Sequence, residues 1–523
     1  MISVPFHDGR RAGKALPLRA IAALACGAVN VFAFAPFGLW PLQIVTLALV
    51  FGLVLRAPSP GQAGLIGWIY GSGWLIAGVH WLYVSMHHFG GMPGWMAALA
   101  VVLLGAGLSL LAGLATGGAA WLRRRCSLDA RISALLVLPA AWTLAEWTRG
   151  WIFTGFPWLS SGYAHNAGPL AGFAPLVGVY GVGWVAALIA GCLALLLLPA
   201  RRLPLLAAVL LLAAGYGLKA IDWTVPNGKP ISVRLLQGNV PQAMKFDPQQ
   251  LGATLALYRD MITAQPADLI ATPETALPLL SSQLPPAYLA RLQAFAQRSG
   301  SHLVIGIPIS DGPGRYANSV IGLTPQPQAA SYRYDKHHLV PFGEFIPWGA
   351  RWFVDMMRIP LGDFTRGSVL QAPFPVRGQW VMPNICYEDL FGEEIAAELA
   401  HAAAAGLPAA SILLNVSNIA WFGDTIALPQ HLQISQMRAL ETGRPMLRAT
   451  NTGATAVIDP KGRVSAQLPP FKRGVLSASV QGYRGLTPYC RYGNTPLVAL
   501  MILLLAGAWL AGRRNPHGAG KNR

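Results

Sequence analysis

The sequence predicts a polytopic α-helical membrane domain that carries an α/β domain on its outer side, and three observations predict it. Hydrophobic residues make up 54% of the 523 and charged residues only 11%, a balance that a water-soluble fold does not have. Eight apolar runs come close to the roughly 20 residues that cross about 30 Å of hydrocarbon. Between the seventh run and the eighth, the texture changes to short strand-like segments alternating with amphipathic helices, as in a single α/β domain.

The runs lie near 17–36, 41–57, 63–84, 94–122, 131–148, 170–200, 202–220 and 495–512. The second is short and the sixth over-long, so tilt or a partly buried loop is expected at both. The chain therefore divides into a seven-helix domain over 1–220, an outer domain over 221–494, and an eighth helix with its tail over 495–523. Arg10, Arg11, Lys14 and Arg19 precede the first run and Arg56 follows the second. "RRRCSLDAR" (123–131) follows the fourth, Arg201 and Arg202 the sixth, and "RRNPHGAGKNR" the eighth. Eight crossings put all of these on one side, which the positive-inside rule makes cytoplasmic. Both termini are then expected in the cytoplasm and residues 221–494 outside it. The first run has the basic prefix of a signal peptide but no small-residue exit leading into soluble sequence, and it is read as retained. The net charge of +18 is spread over short loops and tails, which argues for topology and anionic-lipid contact and against nucleic acid.

Strand-like runs in the outer domain are "ISVRLLQGNV", "DLIATPE", "HLVIGIPI", "YANSVIGL", "AASYRYDK", "WVMPNICY", "ASILLNVS", "PMLRATN" and "GATAVIDP". Helix-like runs cover 247–265, 286–299, 391–405 and 428–442, and "VPNGKP" (225–230) reads as a linker. Three polar residues stand at strand ends: Glu274, Lys336 and Cys386. A carboxylate, an ammonium and a thiol so placed could converge at one edge of the sheet. Equally, Glu274 could cap a helix, Lys336 could be a solvated charge and Cys386 could fill the core. Five cysteines are too few for a disulfide framework, and only Cys386 and Cys490 fall on the oxidising side. His80, His87, His88, His337 and His338 lack a matching ligand set, so no metal is expected. Neither a Walker A run nor a G-x-G-x-x-G after a strand is present, so no nucleotide or other cofactor is expected.

The segments "PET", "YDKHHLVPFGEFIP" and "NICYEDLF", in that order, resemble the Glu, Lys and Cys signatures of the nitrilase superfamily. "LLNVSNIAWFGDT" and "PQHLQISQMRALETGRPMLRATNTGATAVIDPKG" resemble its C-terminal half. With seven apolar runs before, one after, and "GFPWL" at 155–159, the whole chain resembles the apolipoprotein N-acyltransferase family, a membrane-embedded branch of that superfamily. The resemblance implies an extracytoplasmic nitrilase-like αββα sandwich, a multi-pass place in the bacterial inner membrane and a periplasmic catalytic domain.

It also implies roles. Glu274 is the general base for Cys386, whose thiolate attacks an ester carbonyl, while Lys336 and the backbone N–H of Tyr387 hold the oxyanion. Glu344 positions Lys336 or assists proton transfer, and Glu388 orients the site. A nearby cation and a helix N-terminus are expected to lower the Cys386 pKa. The reaction implied is ping-pong: a phospholipid, typically phosphatidylethanolamine, acylates Cys386, and the α-amine of the diacylglyceryl-cysteine of an apolipoprotein takes the acyl group as an amide. The partners are thus two lipids' worth of substrate and the membrane, with the protein a monomer. Phe342, Phe345, Trp348, Trp352, Phe353, Met356 and Met357, in the insert 340–364, form an apolar lid that guides acyl chains, or else fill the core. Trp421 joins the lipid contacts, as does Phe246, where the family commonly shows Trp. Trp147, Trp151, Phe153, Phe156 and Trp158 form an aromatic belt or the floor of a lipid cavity, and Glu146 is expected to pair with Arg149. A membrane-tethered amidohydrolase would use the same three residues with water as acceptor. A transporter with an outer regulatory domain is disfavoured by how few ionisable groups the apolar runs contain.

Overall fold

The computed structural model describes residues 9–196, 203–245, 247–326, 331–346 and 363–513. The chain forms two compact units, the first built from the stretches up to His80, Ala98–Ile221 and from Asn494 onward, the second from Trp81–Ala97 and Asp222–Gly493.

In the first unit the described part of each apolar run is mainly helical, the form in which a segment satisfies its own backbone hydrogen bonds without water. The helices are α1 (Gly9–Asn30), α2 (Pro41–Leu55), α3 (Pro60–Gly78), α4 (Gly94–Arg125), α5 (Leu138–Arg149), α6 (Ala174–Leu196), α7 (Leu203–Leu218) and the C-terminal helix Thr495–Arg513. Ser59 caps α3 by accepting the Gln62 N–H at 3.2 Å, and Pro60 begins it where its missing N–H is not needed. Among the described residues four segments are long and apolar enough to cross a membrane: Leu16–Ala33, Gly94–Arg125, Pro169–Leu196 and Thr495–Arg513. The α2 and α7 helices are apolar but shorter. The over-long sixth run is resolved by a break: a 3-10 turn over Pro169–Phe173 leads into α6, which is interrupted at Gly178, φ +65°. Helices α1 and α3 touch backbone to backbone at Gly27, where a Cβ would lie 2.1 Å from the Tyr70 carbonyl. Leu103, Leu114, Leu203, Leu210 and Leu503 point outward, a surface suited to hydrocarbon. Glu146 accepts the Ser161 hydroxyl at 2.6 Å, and Arg149 donates to the carbonyls of Phe156 and Trp158 at 2.8 and 2.7 Å.

The second unit is built on two six-stranded sheets. One has the order β12-β1-β2-β3-β4-β5 and the other β11-β10-β9-β8-β7-β6. The first five strands are β1 (Val225–Gln237), β2 (Leu269–Ala271), β3 (His302–Ser310), β4 (Tyr316–Leu323) and β5 (Tyr332–Asp335). Then come β6 (Phe374–Val376), β7 (Gln379–Ile385), β8 (Ile412–Ser417), β9 (Met446–Thr450), β10 (Ala456–Ile458), β11 (Val464–Gln467) and β12 (Gly474–Arg484). The strands β1, β2 and β3 run parallel, as do β7, β8 and β9. Helices α8 (Pro248–Thr263) and α9 (Pro286–Ser299) lay Leu255, Ile262, Leu292 and Phe295 on Leu236, Ile270 and Ile305 of the first sheet. Helices α10 (Gly392–Ala404) and α11 (Ala427–Thr442) belong to the second sheet, and α11 is buried along nearly its whole length. The sheets face one another directly: Gln379 Nε2 of β7 donates to the Asn227 and Lys229 carbonyls of β1 at 2.6 and 2.8 Å. The order is helix, sheet, sheet, helix.

Each expected helix of this unit is present to within about two residues. The linker expected at 225–230 is instead the start of β1, pairing Val225 with Arg484 and Asn227 with Gly482 before a bulge. Its partner lies some 250 residues away in sequence, beyond the reach of any local pattern. For the same reason β6, β11 and β12 have no counterpart among the expected strands.

Candidate active site

Three strand ends deliver the polar residues singled out in the sequence, but from two facing sheets and not from one edge. Glu274 follows β2 in a turn whose next residue, Thr275, has φ +48°. Lys336 follows β5, its N–H bonded to the Asn318 carbonyl at 2.8 Å. Cys386 follows β7 of the other sheet and opens a 3-10 turn over Cys386–Leu390. Its φ of +53° is costly for a side chain bearing a Cβ. The conformation is held through its carbonyl, which accepts from Asn415 Nδ2 at 3.1 Å and lies 3.3 Å from His431 Nε2.

Lys336 Nζ lies 3.3 Å from Glu274 Oε1 and 2.9 Å from Glu344. Asn318 Nδ2 donates to Glu274 Oε1 at 2.7 Å and to Glu344 Oε1 at 2.8 Å. The second oxygen of each carboxylate is taken by a main-chain N–H, Asn418 for Glu274 at 2.9 Å and Val340 for Glu344 at 2.8 Å. Lys245 Nζ donates to the Glu274 carbonyl at 3.2 Å. All four charged residues are buried, Lys336 to 1% exposure.

These contacts decide who holds protons. Burial works against the Glu274 carboxylate, but Lys336 and Lys245, with Asn318 and Asn418, keep it below the ordinary carboxylate value. Burial also works against the Lys336 charge, and Glu344 and Glu274 outweigh it, holding the ammonium above its ordinary value. Cys386 behaves contrary to the expectation from sequence. Loss of water around it and the Glu274 charge push the thiol up to about 12, with Lys336 pulling less strongly the other way. No α-helix N-terminus sits directly behind it, because the 3-10 turn intervenes before α10 begins at Gly392. A neutral thiol beside an ionised carboxylate must lose its proton as it attacks, and the arrangement suits general-base catalysis.

Glu388 ties the two sheets' loops together. Its oxygens accept from the N–H groups of His337 at 2.6 Å, His338 at 3.2 Å and Ile385 at 2.6 Å, and from the Tyr334 hydroxyl at 3.0 Å. Burial pushes its carboxyl up to about 7, against those bonds. Tyr387 is buried, its ring 5.3 Å from that of Phe391. Under the turn, Asp389 lies 2.9 Å from His431 and 3.0 Å from Arg448 and accepts from Ser435. All five cysteines are free thiols, so Cys386 and Cys490 are not joined.

Of the residues expected to meet lipid, Phe342 is exposed, Phe345 lies under Arg366 at 5.0 Å, and Trp421 packs at 5.9 Å from Phe89. Phe246, Trp348, Trp352, Phe353, Met356 and Met357 lie outside the described residues. Sequence reasoning missed Lys245, Asn318, Asn418 and the Asp389–His431–Arg448 group. Asn318 carried a faint signal, as a buried amide in the otherwise apolar strand "YANSVIGL"; Lys245, in "QAMKFD", carried none.

Family models of the apolipoprotein N-acyltransferase N-terminal domain and of carbon-nitrogen hydrolases match residues 26–192 and 232–489. The chain is 52% identical over 533 residues to an apolipoprotein N-acyltransferase from Ralstonia nicotianae, with 99% of each chain covered. It is 48% identical over 506 residues to one from Nitrosomonas europaea, covering 95% of this chain and 98% of the other. Among solved structures, an amidase from Nesterenkonia sp. aligns with 52% of this chain and 97% of its own at 20% identity, with a TM-score of 0.38.

Proposed function

The chain belongs to the apolipoprotein N-acyltransferase family, and from that premise we propose that it N-acylates the α-amine of the N-terminal S-diacylglyceryl-cysteine of apolipoproteins, with a phospholipid as acyl donor and a Cys386 thioester between the half-reactions. The observation that carries the assignment of residues is the buried Lys336 bridge between Glu274 and Glu344, with the Cys386 thiol pushed up to about 12 by burial and by the Glu274 charge.

In the first half-reaction Glu274 takes the Cys386 proton as sulfur bonds to the ester carbonyl carbon. The negative charge that develops on the carbonyl oxygen is met by Lys336 and the Tyr387 N–H, a donor of this kind contributing about 3 kcal/mol. Collapse expels the lysophospholipid alkoxide, which recovers the proton from Glu274. In the second, the neutral amine attacks the thioester, Glu274 takes its proton, and the proton returns to the departing sulfur. The thioester is the most reactive of the three acyl groups and the amide the most stable, so the overall transfer from ester to amide runs downhill and the chemistry is complete without a nucleotide. Glu344 shares the Lys336 ammonium and keeps it charged through both steps, and Glu388 fixes the turn that presents Cys386 against the loop that presents Lys336.

The apolar helices and the lipid nature of both substrates support a membrane location. The finer reading is eight crossings in the bacterial inner membrane, both termini cytoplasmic, the domain 221–494 periplasmic, and a monomer using phosphatidylethanolamine, with the segment 340–364 as acyl-chain lid. Intact mass measurement of the protein in micelles with phosphatidylethanolamine of defined chains tests the core of this. The expected result is a hydroxylamine-labile adduct of one acyl mass, absent in Cys386→Ser and discharged by a diacylated lipopeptide with a free amine. Turnover without any adduct would overturn the covalent route.

A further inference from the structure

Two carboxylates, Glu274 and Glu344, share one ammonium in the buried cluster, which leaves one negative charge in excess unless another cation is counted. Isolated buried charge is strongly penalised. Lys245 is that cation. It stands just after the 3-10 turn Gln242–Met244, 5% exposed, and donates to the Glu274 main-chain carbonyl at 3.2 Å. The same turn holds Glu274 by a second route. Gln242 Oε1 accepts from Asn418 Nδ2 at 2.8 Å, and the Asn418 N–H is the donor to Glu274 Oε2. The segment is anchored in turn by Asn451, whose Nδ2 donates to the Val240 carbonyl at 2.8 Å and to Asn418 Oδ1 at 3.1 Å.

We propose that Lys245 is a positioning residue of the acyl-transfer site: its ammonium holds the turn that aims Glu274 and supplies the second positive charge that keeps that base ionised. This deepens the function proposed above and rests on it. The charged and titratable groups facing Glu274 are Lys336 after β5, Lys245, Glu344 and Cys386 after β7, with Asn318 of β4 and Asn418 after β8 as neutral donors. Those that face Lys245 are Glu274 and Cys386. Burial pushes Lys245 down to about 8, opposed by these two, so it keeps most of its charge at neutral pH.

Removing a cation beside a carboxylate raises the carboxyl's pKa, so the base is lost at higher pH than before. The test is the single-turnover rate of Cys386 acylation, read by intact mass from pH 4 to 9, for wild type, Lys245→Met, Lys245→Gln and Lys245→Arg. Both uncharged variants should move the acid limb up by about 1 pH unit or more. Lys245→Gln keeps a hydrogen-bond donor and so isolates the charge, and Lys245→Arg should leave the limb where wild type has it. If Lys245→Met does not fold, judged by its melting temperature, Lys245→Gln carries the comparison. An acid limb unmoved in the uncharged variants, with the rate lowered equally at every pH, would overturn the charge role while leaving the acyl-enzyme intact. Absence of any wild-type adduct would overturn both readings.

Discussion

Asn318 Nδ2 donates to two carboxylates at once, and this amide, as much as Lys336, keeps Glu274 and Glu344 from repelling each other out of line. Hydrogen bonds to charged groups contribute about 1.5–3 kcal/mol, so Asn318→Ala should slow single-turnover acylation by roughly 10- to 100-fold. Asn318→Asp should do worse at neutral pH because it adds a third acid. The thiol gives a second prediction. With Cys386 pushed up to about 12, its alkylation by iodoacetamide should rise about tenfold per pH unit from pH 7 to 10 without levelling off, whereas a plateau near pH 8 or 9 would show a resting thiolate. Glu274, Lys336 and Cys386 stood out in the sequence as polar residues at strand ends, but that placement left a cap, a solvated charge and a core thiol equally open, and only the family resemblance gave them roles. Asn318 and Lys245 did not, since their meaning depends on the fold bringing Asn318 Nδ2 within 2.7 Å of the Glu274 carboxylate and Lys245 Nζ within 3.2 Å of the Glu274 main-chain carbonyl.

At the scale of elements, the turn Cys386–Leu390 is fastened from below by α11 and β9. Asp389 meets His431 and Ser435 of the helix and Arg448 of the strand, all fully buried or nearly so. Burial opposes its ionisation, and His431 and then Arg448 outweigh that and hold the carboxyl below its ordinary value. A depressed folded pKa contributes stability that is present above the unfolded value, about 3.9, and lost as pH falls through the folded one. Arg448→Met should therefore destabilise the protein by about 3–5 kcal/mol at neutral pH, read as a lower unfolding midpoint in detergent. Pairing it with Asp389→Asn should recover part of the loss; no recovery would mean that the arginine acts through packing alone. The helices of this network were legible, α11 from the spacing of Leu432, Ser435, Gln436 and Ala439. The first half of β1 was not, because "VPNGKP" has two prolines and a glycine and becomes a strand only when β12 lies beside it.

For the whole molecule the open question is how many times the chain crosses the membrane, and α7 decides it. Its 16 residues rise about 24 Å, less than the roughly 30 Å of hydrocarbon. Within the first unit, Arg123 Nη1 donates to the Leu55 carbonyl at 2.7 Å and Arg124 to that of Ala57 at 3.2 Å. Cys126 Sγ lies 3.6 Å from the Trp509 carbonyl. The C-terminal ends of α2, α4 and the last helix thus gather on one side, the side bearing Arg56, Arg123, Arg124, Arg125 and Arg513. Four crossings after Cys126, by α5, α6, α7 and the last helix, return the chain to that side, and three would not. On the proposed eight-crossing topology α7 crosses in spite of its length, tilting little and thinning the bilayer around it. The same proposal, with the positive-inside rule, puts residues 222–493 outside the cytoplasm. Alkaline phosphatase fused after Gly228 should be active and the same reporter after Cys126 or Arg513 inactive, with the reverse pattern for a fluorescent protein that folds only in the cytoplasm. Activity after Arg513 would instead mean that α7 lies along the interface, and that Cys386 meets its substrates from the cytoplasmic leaflet.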